Sequence, residues 1–544
     1  MKKHFFVFLL AISLLVPSAA LAQTAVKITP AERKMAESIT ADQLSHYLHF
    51  VASDAMGGRD TPSQGLDITA EFIKMQLSRW GFKPGGDNGT FFQKIALRSE
   101  RVDPANNLLQ VDGKPFNLGD DFFRMSGNGS ANALMVYAGN GWVVRSKGID
   151  AYKGVDVKGK IVVVEATEGF PNPATLTPLP ASVKKEELTG TKGTDWADPV
   201  TYAKANGAAG IILIGSPQLQ QSWSRIRRFF GNSSMYPEKL RESAVRDTLP
   251  VVVTSSRVAE AIFSGTDGTR NSATPFAINK TVSMTTMSTA ETRWTQNVVG
   301  IWEGSHPTLK KEMVAIGAHY DHDGTKLDAR GEDKVWNGAD DDGSGTVAVL
   351  SIAEALSKSK VRPKRSILLV WHAGEEKGLW GSQYFNKFPT VDIKNVVAQL
   401  NIDMIGRSKK PGDNNPKNAE LSGENAIYVI GSEMMSSALG AVTKQTNDRY
   451  LKLAYDYRYD DPKDTNRFFF RSDHFHYAVN GIPIAFWFDG VHEDYHQASD
   501  SPDKIDYQKM EKVTRTIFLT MWEIADLASR PKVDKVLPPE LMER

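Results

Sequence analysis

Four apolar runs, Met313 to His319, Ser366 to His372, Val396 to Asp403 and Ile482 to Phe488, are spaced along the second half of this chain. Between the first two, Val349, Ile352, Ala353 and Leu356 recur at i, i+3, i+4 and i+7 within Gly345 to Ser359, the period of a helix with one buried face. Apolar strands alternating with amphipathic helices predict an α/β sandwich, its central sheet mixed but mostly parallel and flanked by helices. A last helix is predicted over Tyr507 to Leu527.

In an open α/β sheet, ligands collect beyond the carboxyl ends of the strands. Each apolar run ends in residues able to hold a metal ion. GAHYDH closes the first with His319 and Asp321, and HAGEE follows the second with Glu375 and Glu376. NIDMIG closes the third with Asp403, and FDGVHEDYH leads from the fourth to His496. NGADDDGSG adds Asp340, Asp341 and Asp342 where a helix opens. A single surface acid means little, but convergence on one sheet edge means much more.

Imidazole and carboxylate donors without thiolate suit Zn²⁺, with Mn²⁺ or Co²⁺ as substitutes. Two histidines and three carboxylates exceed the needs of one catalytic zinc. They match two ions sharing a bridging carboxylate, an arrangement that activates a water and polarises a carbonyl.

The rest of the chain supplies context. Lys2 and Lys3 precede an apolar run from Phe5 to Val16, and Ala20-Leu21-Ala22 follows, the order of a cleaved secretory signal over 1–22. The expected location is therefore the periplasm or the medium, without stable membrane insertion after cleavage. No cysteine is present, so structural disulfides are excluded. With 65 basic and 64 acidic residues and no basic block, the chain has no electrostatic footprint for nucleic acid. Thr29 to Gly81 reads as helical, interrupted by the turn-rich Ser53 to Gly65, which is either a connector or a segment close to the site. Short β-like runs at Leu134 to Ala138, Lys160 to Glu165, Gly210 to Ile214 and Leu249 to Thr254, with a helical insert at Val200 to Asn206, predict a β-rich module. The expected division is an N-terminal part of the catalytic domain over 23–110, the module over 111–285, the catalytic domain over 286–530 and a tail over 531–544. Sequence leaves the oligomeric state open.

Two resemblances follow from these segments. VKGKIVVVEA, YAKANGAAGIILIG and LPVVVT resemble the protease-associated domain, a non-catalytic insert of several exopeptidase families. GAHYDH, NGADDDGSGTVAVL, HAGEEKGLWGS, NIDMIGR, RSDHFHYAVNGIP and YHQASDSPDKID resemble, in order, the blocks of the co-catalytic two-zinc aminopeptidases of clan MH, which also holds glutamate carboxypeptidases and glutaminyl cyclases. The resemblance implies a zinc-exopeptidase sandwich acting on peptides, most simply at the amino end. It implies that His319 and Asp403 hold one zinc, Glu376 and His496 the other, and that Asp341 bridges them, with Asp340 and Asp342 as alternatives. Glu375 becomes the general base, Asp321 the partner that orients His319, and Tyr495 a donor to the oxyanion or a core tyrosine. His492 is the main rival to His496, while His322, His372, His474 and His476 lie close by. Arg471 and Asp473 either position a substrate terminus or form a structural pair. A carboxypeptidase, a one-metal cyclase and a metal-free binding protein on the same scaffold are the competing functions.

Overall fold

The computed structural model describes residues 26–172, 175–230, 234–241, 247–270, 272–537 and 539. The expected secretory signal lies outside them. The chain divides into two compact units, one built up to Ile95 and from Trp294 onward, the other from Ala96 to Arg293.

In the first unit the sheet order is Ser288–Trp302, Ser366–His372, Met313–His319, Val396–Ile402, Ile484–Phe488, Ala426–Ile430 and Ala454–Asp456. The four middle strands, from Ser366–His372 to Ile484–Phe488, are mutually parallel. Ser288–Trp302 joins them antiparallel on one side and Ala426–Ile430 on the other. These four are the apolar runs of the sequence, so their carboxyl ends share one edge. His319 and His372 are register partners at that edge.

Alternation sorts the side chains into two layers. Val314, Ile316, Ala318, Ile367, Leu369 and Trp371 pack against Leu44, Leu48, Leu350 and Ile517. Ala315, Leu368 and Val370 face the other way, toward Phe385, Phe475 and Tyr477. Met313–His319, Ser366–His372 and Val396–Ile402 are buried along their whole length and mainly apolar because helices cover both faces. The covering helices on the first face are Pro30–Glu37, Ala41–Val51, Gln64–Arg79, Gly345–Ser357 and Tyr507–Asp526. Thr29, Thr40 and Ser63 each accept a backbone N–H at the start of the first three, which fixes where those helices begin.

The second unit holds an eight-stranded sheet whose centre, Gly129–Tyr137, Ile161–Glu165, Gly210–Ile214 and Val251–Thr254, is parallel. Its limits, 96 and 293, lie outside the expected 111–285. Leu108–Val111 and Phe276–Thr286 pair within this unit's sheet. The chain enters it within the strand Phe92–Val102 and leaves it within Ser288–Trp302. Both strands mix polar and apolar residues, so no change of pattern marks either boundary. Residues 96–293 contain no histidine. Among the described residues no helix is long and apolar enough to cross a membrane.

Glu523, half-buried on the last helix, is pushed up to about 7 by burial, with Glu32 and Asp526 adding to the shift. Its folded value exceeds the roughly 4.3 of an unfolded glutamate. The protonated form is therefore favoured in the fold, and its contribution is complete below about 4.3 and lost as pH rises through 7. Glu523→Gln should gain stability relative to the natural protein as pH climbs across that window. Denaturant unfolding at a series of pH values tests it, and a constant difference between the two proteins opposes it.

Candidate metal centre

Each strand end delivers its side chain to one pocket. His319 is the last residue of its strand, and Asp403 follows Ile402 directly. Glu375 and Glu376 lie in the loop after His372, His496 in the loop after Phe488, and Asp341 in the turn Ala339–Ser344 that opens the helix Gly345–Ser357.

The carboxylate of Asp341 stands between two imidazoles. Its Oδ1 is 3.2 Å from His319 Nε2, and its Oδ2 is 3.1 Å from His496 Nε2. On the first side Asp403 Oδ2 lies 3.7 Å from His319 Nε2, and on the second Glu376 Oε2 lies 3.1 Å from His496 Nε2. His322 also reaches the second side, with Nδ1 2.8 Å from Glu376 Oε1 and 4.0 Å from Asp341 Oδ2. Two donor groups result, His319–Asp341–Asp403 and His322–Asp341–Glu376, each tight enough to hold an ion. His496 contacts both carboxylates of the second group at 3.1 Å, so two imidazoles compete for that side.

The donor set fits zinc on the ground of unmet demand. His319 Nε2 and Glu376 Oε1 are buried without a well-formed hydrogen bond, their nearest neighbours being other members of the same cluster, Asp341 Oδ1 at 3.2 Å and His322 Nδ1 at 2.8 Å. A buried polar atom left without a partner is costly, and a carboxylate cluster without a cation costs more. Hard oxygens and imidazole nitrogens around such atoms are the donors zinc takes.

The local electrostatics show the same crowding. Burial opposes charge on Asp341, but His319 and His496 outweigh it and hold its carboxyl well below the usual range. Burial also opposes protonation of His496, yet Asp341 and Glu376 raise it to about 10. Glu375 moves the other way, well above the carboxylate range, through burial first and then Glu376, Asp403 and Asp473. Adjacent glutamates are thereby driven apart, with Glu376 lowered to about 2 against the effect of burial by its imidazole partners.

The three consecutive aspartates have three separate tasks. Asp342 accepts from the backbone N–H of His319, Gly345 and Met404 at 3.1, 2.9 and 3.2 Å, which ties together the loops bearing His319 and Asp403. Asp340 accepts from Gly406 N at 2.7 Å and stands 3.2 Å from His492 Nε2. His492, engaged there, stays apart from the donor groups. Asp500 accepts from the N–H of both Asp340 and Asp341 and so fixes the turn that aims Asp341. The tasks of Asp340, Asp342 and Asp500 are set by backbone hydrogen bonds, which leave no trace in residue spacing.

Asp321 differs from the expected arrangement. Its carboxylate is 3.6 Å from His319 Nδ1, beyond hydrogen-bond reach. Its backbone carbonyl is the nearer atom, at 3.2 Å, while its Oδ1 accepts from Glu375 N at 3.1 Å. The residue thus links His319 to the loop of Glu375. Ser472, which sequence spacing does not single out, donates to Asp403 Oδ2 at 2.6 Å.

Asp341, Glu375 and Asp403 open into a pocket lined also by Met404, Phe468, Arg471, Phe486, Phe488, Val491 and Tyr495. The Tyr495 ring stacks on His496, and its hydroxyl lies 3.3 Å from Arg471. Arg471 spreads over Phe468, whereas buried Asp473 sits beside His372, so the two do not act as a pair. His372 and His474 are lowered to about 3 by burial and hydrogen-bond to Tyr477 and the Phe469 carbonyl. They are packed core histidines. His476 is likewise buried, on the helix His474–Val479.

A probable leucine aminopeptidase of Arthroderma otae is 30% identical over 228 residues, covering 40% of this chain and 56% of that protein. A leupeptin-inactivating enzyme of Streptomyces exfoliatus is 34% identical over 119 residues, covering 21% and 24%. This chain thus spans little more than half the length of the fungal relative. Among solved structures, an aminopeptidase from Aneurinibacillus sp. strain AM-1 matches with a TM-score of 0.47 and 16% identity over 94% of this chain and 98% of that one. Residues 297–521 match the model of Peptidase family M28.

Proposed function

We propose that this protein is an exported two-zinc aminopeptidase. The observation that carries the proposal is the Asp341 carboxylate held between two imidazoles, with a second carboxylate, Glu375, beside them and without a hydrogen-bonded imidazole partner of its own. In this reading His319 and Asp403 hold one zinc, Glu376 and His496 the other, and Asp341 bridges them. His322, against Glu376 Oε1, is the alternative donor on the second side. Export rests on the charged, apolar and small-residue order of the first 22 residues.

Zinc bound here would acidify a water and polarise the scissile carbonyl. Everything else falls to the chain. Glu375 lies 4.0 Å from His319 Nε2, and its backbone is anchored on Asp321. It takes a proton from the attacking water and returns it to the leaving amine, a task suited to a carboxyl whose affinity for protons is raised by burial. The Tyr495 hydroxyl, facing the same pocket, donates to the oxygen that gains charge. Glu375 and Asp403 also meet the α-ammonium of the substrate, while Met404, Phe468, Phe486 and Phe488 receive an apolar side chain.

A carboxypeptidase of the same clan is the second reading, and Arg471 favours it. Among the described residues lining the pocket it is the sole cation, as a substrate carboxylate would require.

Three outcomes are expected. The protein should bind about two zinc ions per chain, and Asp341→Ala should weaken both together, since one carboxylate serves each side. Metal analysis showing a single tight ion at saturation contradicts this. Glu375→Gln should retain zinc while kcat drops by about 10²–10⁴-fold, whereas Glu376→Gln should lose metal affinity. Near-normal turnover in the Glu375 variant would remove it as the base. Finally, N-acetylation of a short peptide should reduce kcat/KM by about one to two orders of magnitude, the equivalent of roughly 1.5–3 kcal/mol for a lost charged hydrogen bond. Equal cleavage of free and acetylated forms, with sensitivity to amidation of the other end, would instead favour the carboxypeptidase.

A further inference from the structure

The turn-rich segment before the helix Gln64–Arg79 has a part in the site that its sequence leaves open. Gly57, Gly58 and Arg59 adopt φ of 56°, 69° and 51°, three successive left-handed residues. A Cβ on Gly58 would stand 2.5 Å from the carbonyl oxygens of Gly324 and Trp336, so glycine is required for the turn to approach those two loops. The turn sends the Arg59 side chain into the interior, where it is 0% exposed.

Among the described residues no carboxylate pairs with that guanidinium. It donates from Nε to the carbonyl of Tyr320 at 2.9 Å, from Nη1 to those of Val51 and Asn337 at 2.8 and 2.7 Å, and from Nη2 to that of Gly338 at 2.9 Å. Tyr320 lies between His319 and His322, and Gly338 stands two residues before the first of the three aspartates. The Arg59 carbonyl in turn accepts from His322 N at 3.2 Å. Two further contacts extend this connection. Trp336, beside Asn337, donates its indole N–H to the His496 carbonyl at 3.0 Å. Asp60, beside Arg59, pairs at 2.7 Å with Lys377, the residue after Glu376. Arg59 and its neighbour therefore contact the loops that bring His319, Asp341 and Glu376 to the centre, and reach that of His496 only through Trp336.

We propose that Arg59 is a positioning residue for the metal centre, its guanidinium fastening the His319–His322 and Asn337–Asp341 loops at a fixed separation. Asp60 assists by holding the Glu376 loop through Lys377. The proposal rests on the two-zinc reading of the site. A planar fork with five N–H donors can serve several carbonyls at once, which a lysine ammonium on a flexible stem cannot reproduce.

The test is zinc affinity, measured by competition with a chelator on the purified full chain. Removing a partner that orients metal donors lowers affinity by about 10–100-fold. Arg59→Met should show a loss of that size with the fold retained by circular dichroism, and Arg59→Lys should recover only part of it. If Arg59→Met lowers the melting temperature yet binds zinc as the natural protein does, Arg59 is only structural and the proposal falls. If Arg59→Met does not fold, the accessible pair decides. Asp60→Asn and Lys377→Met should each weaken zinc binding several-fold on the Glu376 side, and unchanged affinity in both overturns the proposal. A natural protein that binds no zinc would overturn the two-zinc reading and this inference together. Zinc binding unaffected by these substitutions would overturn this inference alone.

Discussion

The concentration of buried charge at one sheet edge governs the rest of this structure. Asp340, Asp341, Asp342, Glu376, Asp403 and Asp500 lie within it, and all but a trace of their surface is removed from water. Carboxylates so placed repel one another and lose hydration, and each survives only where something specific meets it. Asp341 is met by two imidazoles, Asp342 by three backbone N–H groups and Asp403 by Ser472. His319 Nε2 and Glu376 Oε1, buried among other members of the same cluster, mark where a cation would be met by several donors at once.

This condition explains why the supporting residues are polar in the middle of an apolar fold. Asp500 and Asp340 contribute no donor to the two metal groups, yet they shape the turn and hold His492 and the loop at Gly406. Arg407 continues the arrangement outward, 2.8 Å from Asp494 and 3.4 Å from His492. Loss of any one of these would leave another buried charge without its partner. The site and its surroundings therefore stand or fall as a unit, and single substitutions within it are not expected to add independently.

Much of this was legible in the sequence because burial on both faces writes itself as an unbroken apolar run. The strands at 313–319, 366–372 and 396–402 lie within a residue of where their runs predict, and their donors follow at the ends. The short strands Ala426–Ile430 and Ala454–Asp456 were not readable, since they are brief and stand at the sheet's margin. Nor was the division of labour among Asp340, Asp341 and Asp342 written in their spacing, because backbone turns aim identical side chains differently. His322 and His496 remain close competitors for the same reason. The segment at 53–65 read as a connector or something more, and its buried arginine becomes intelligible only once the carbonyls of Tyr320, Asn337 and Gly338 are seen around it.

The donors are spread from His319 to His496 along the chain, and apart from His319 and His322 they come from separate loops. An unfolded or half-made chain thus offers an ion nothing more than scattered side chains, unlike small domains in which metal capture and folding are a single event. The parallel strands must first come into register, and parallel pairing is slow to form because each partner is distant in sequence. Loading is then the last step of maturation. In the proposed two-zinc reading, the ion that the centre takes is therefore set by the surroundings in which the sheet closes.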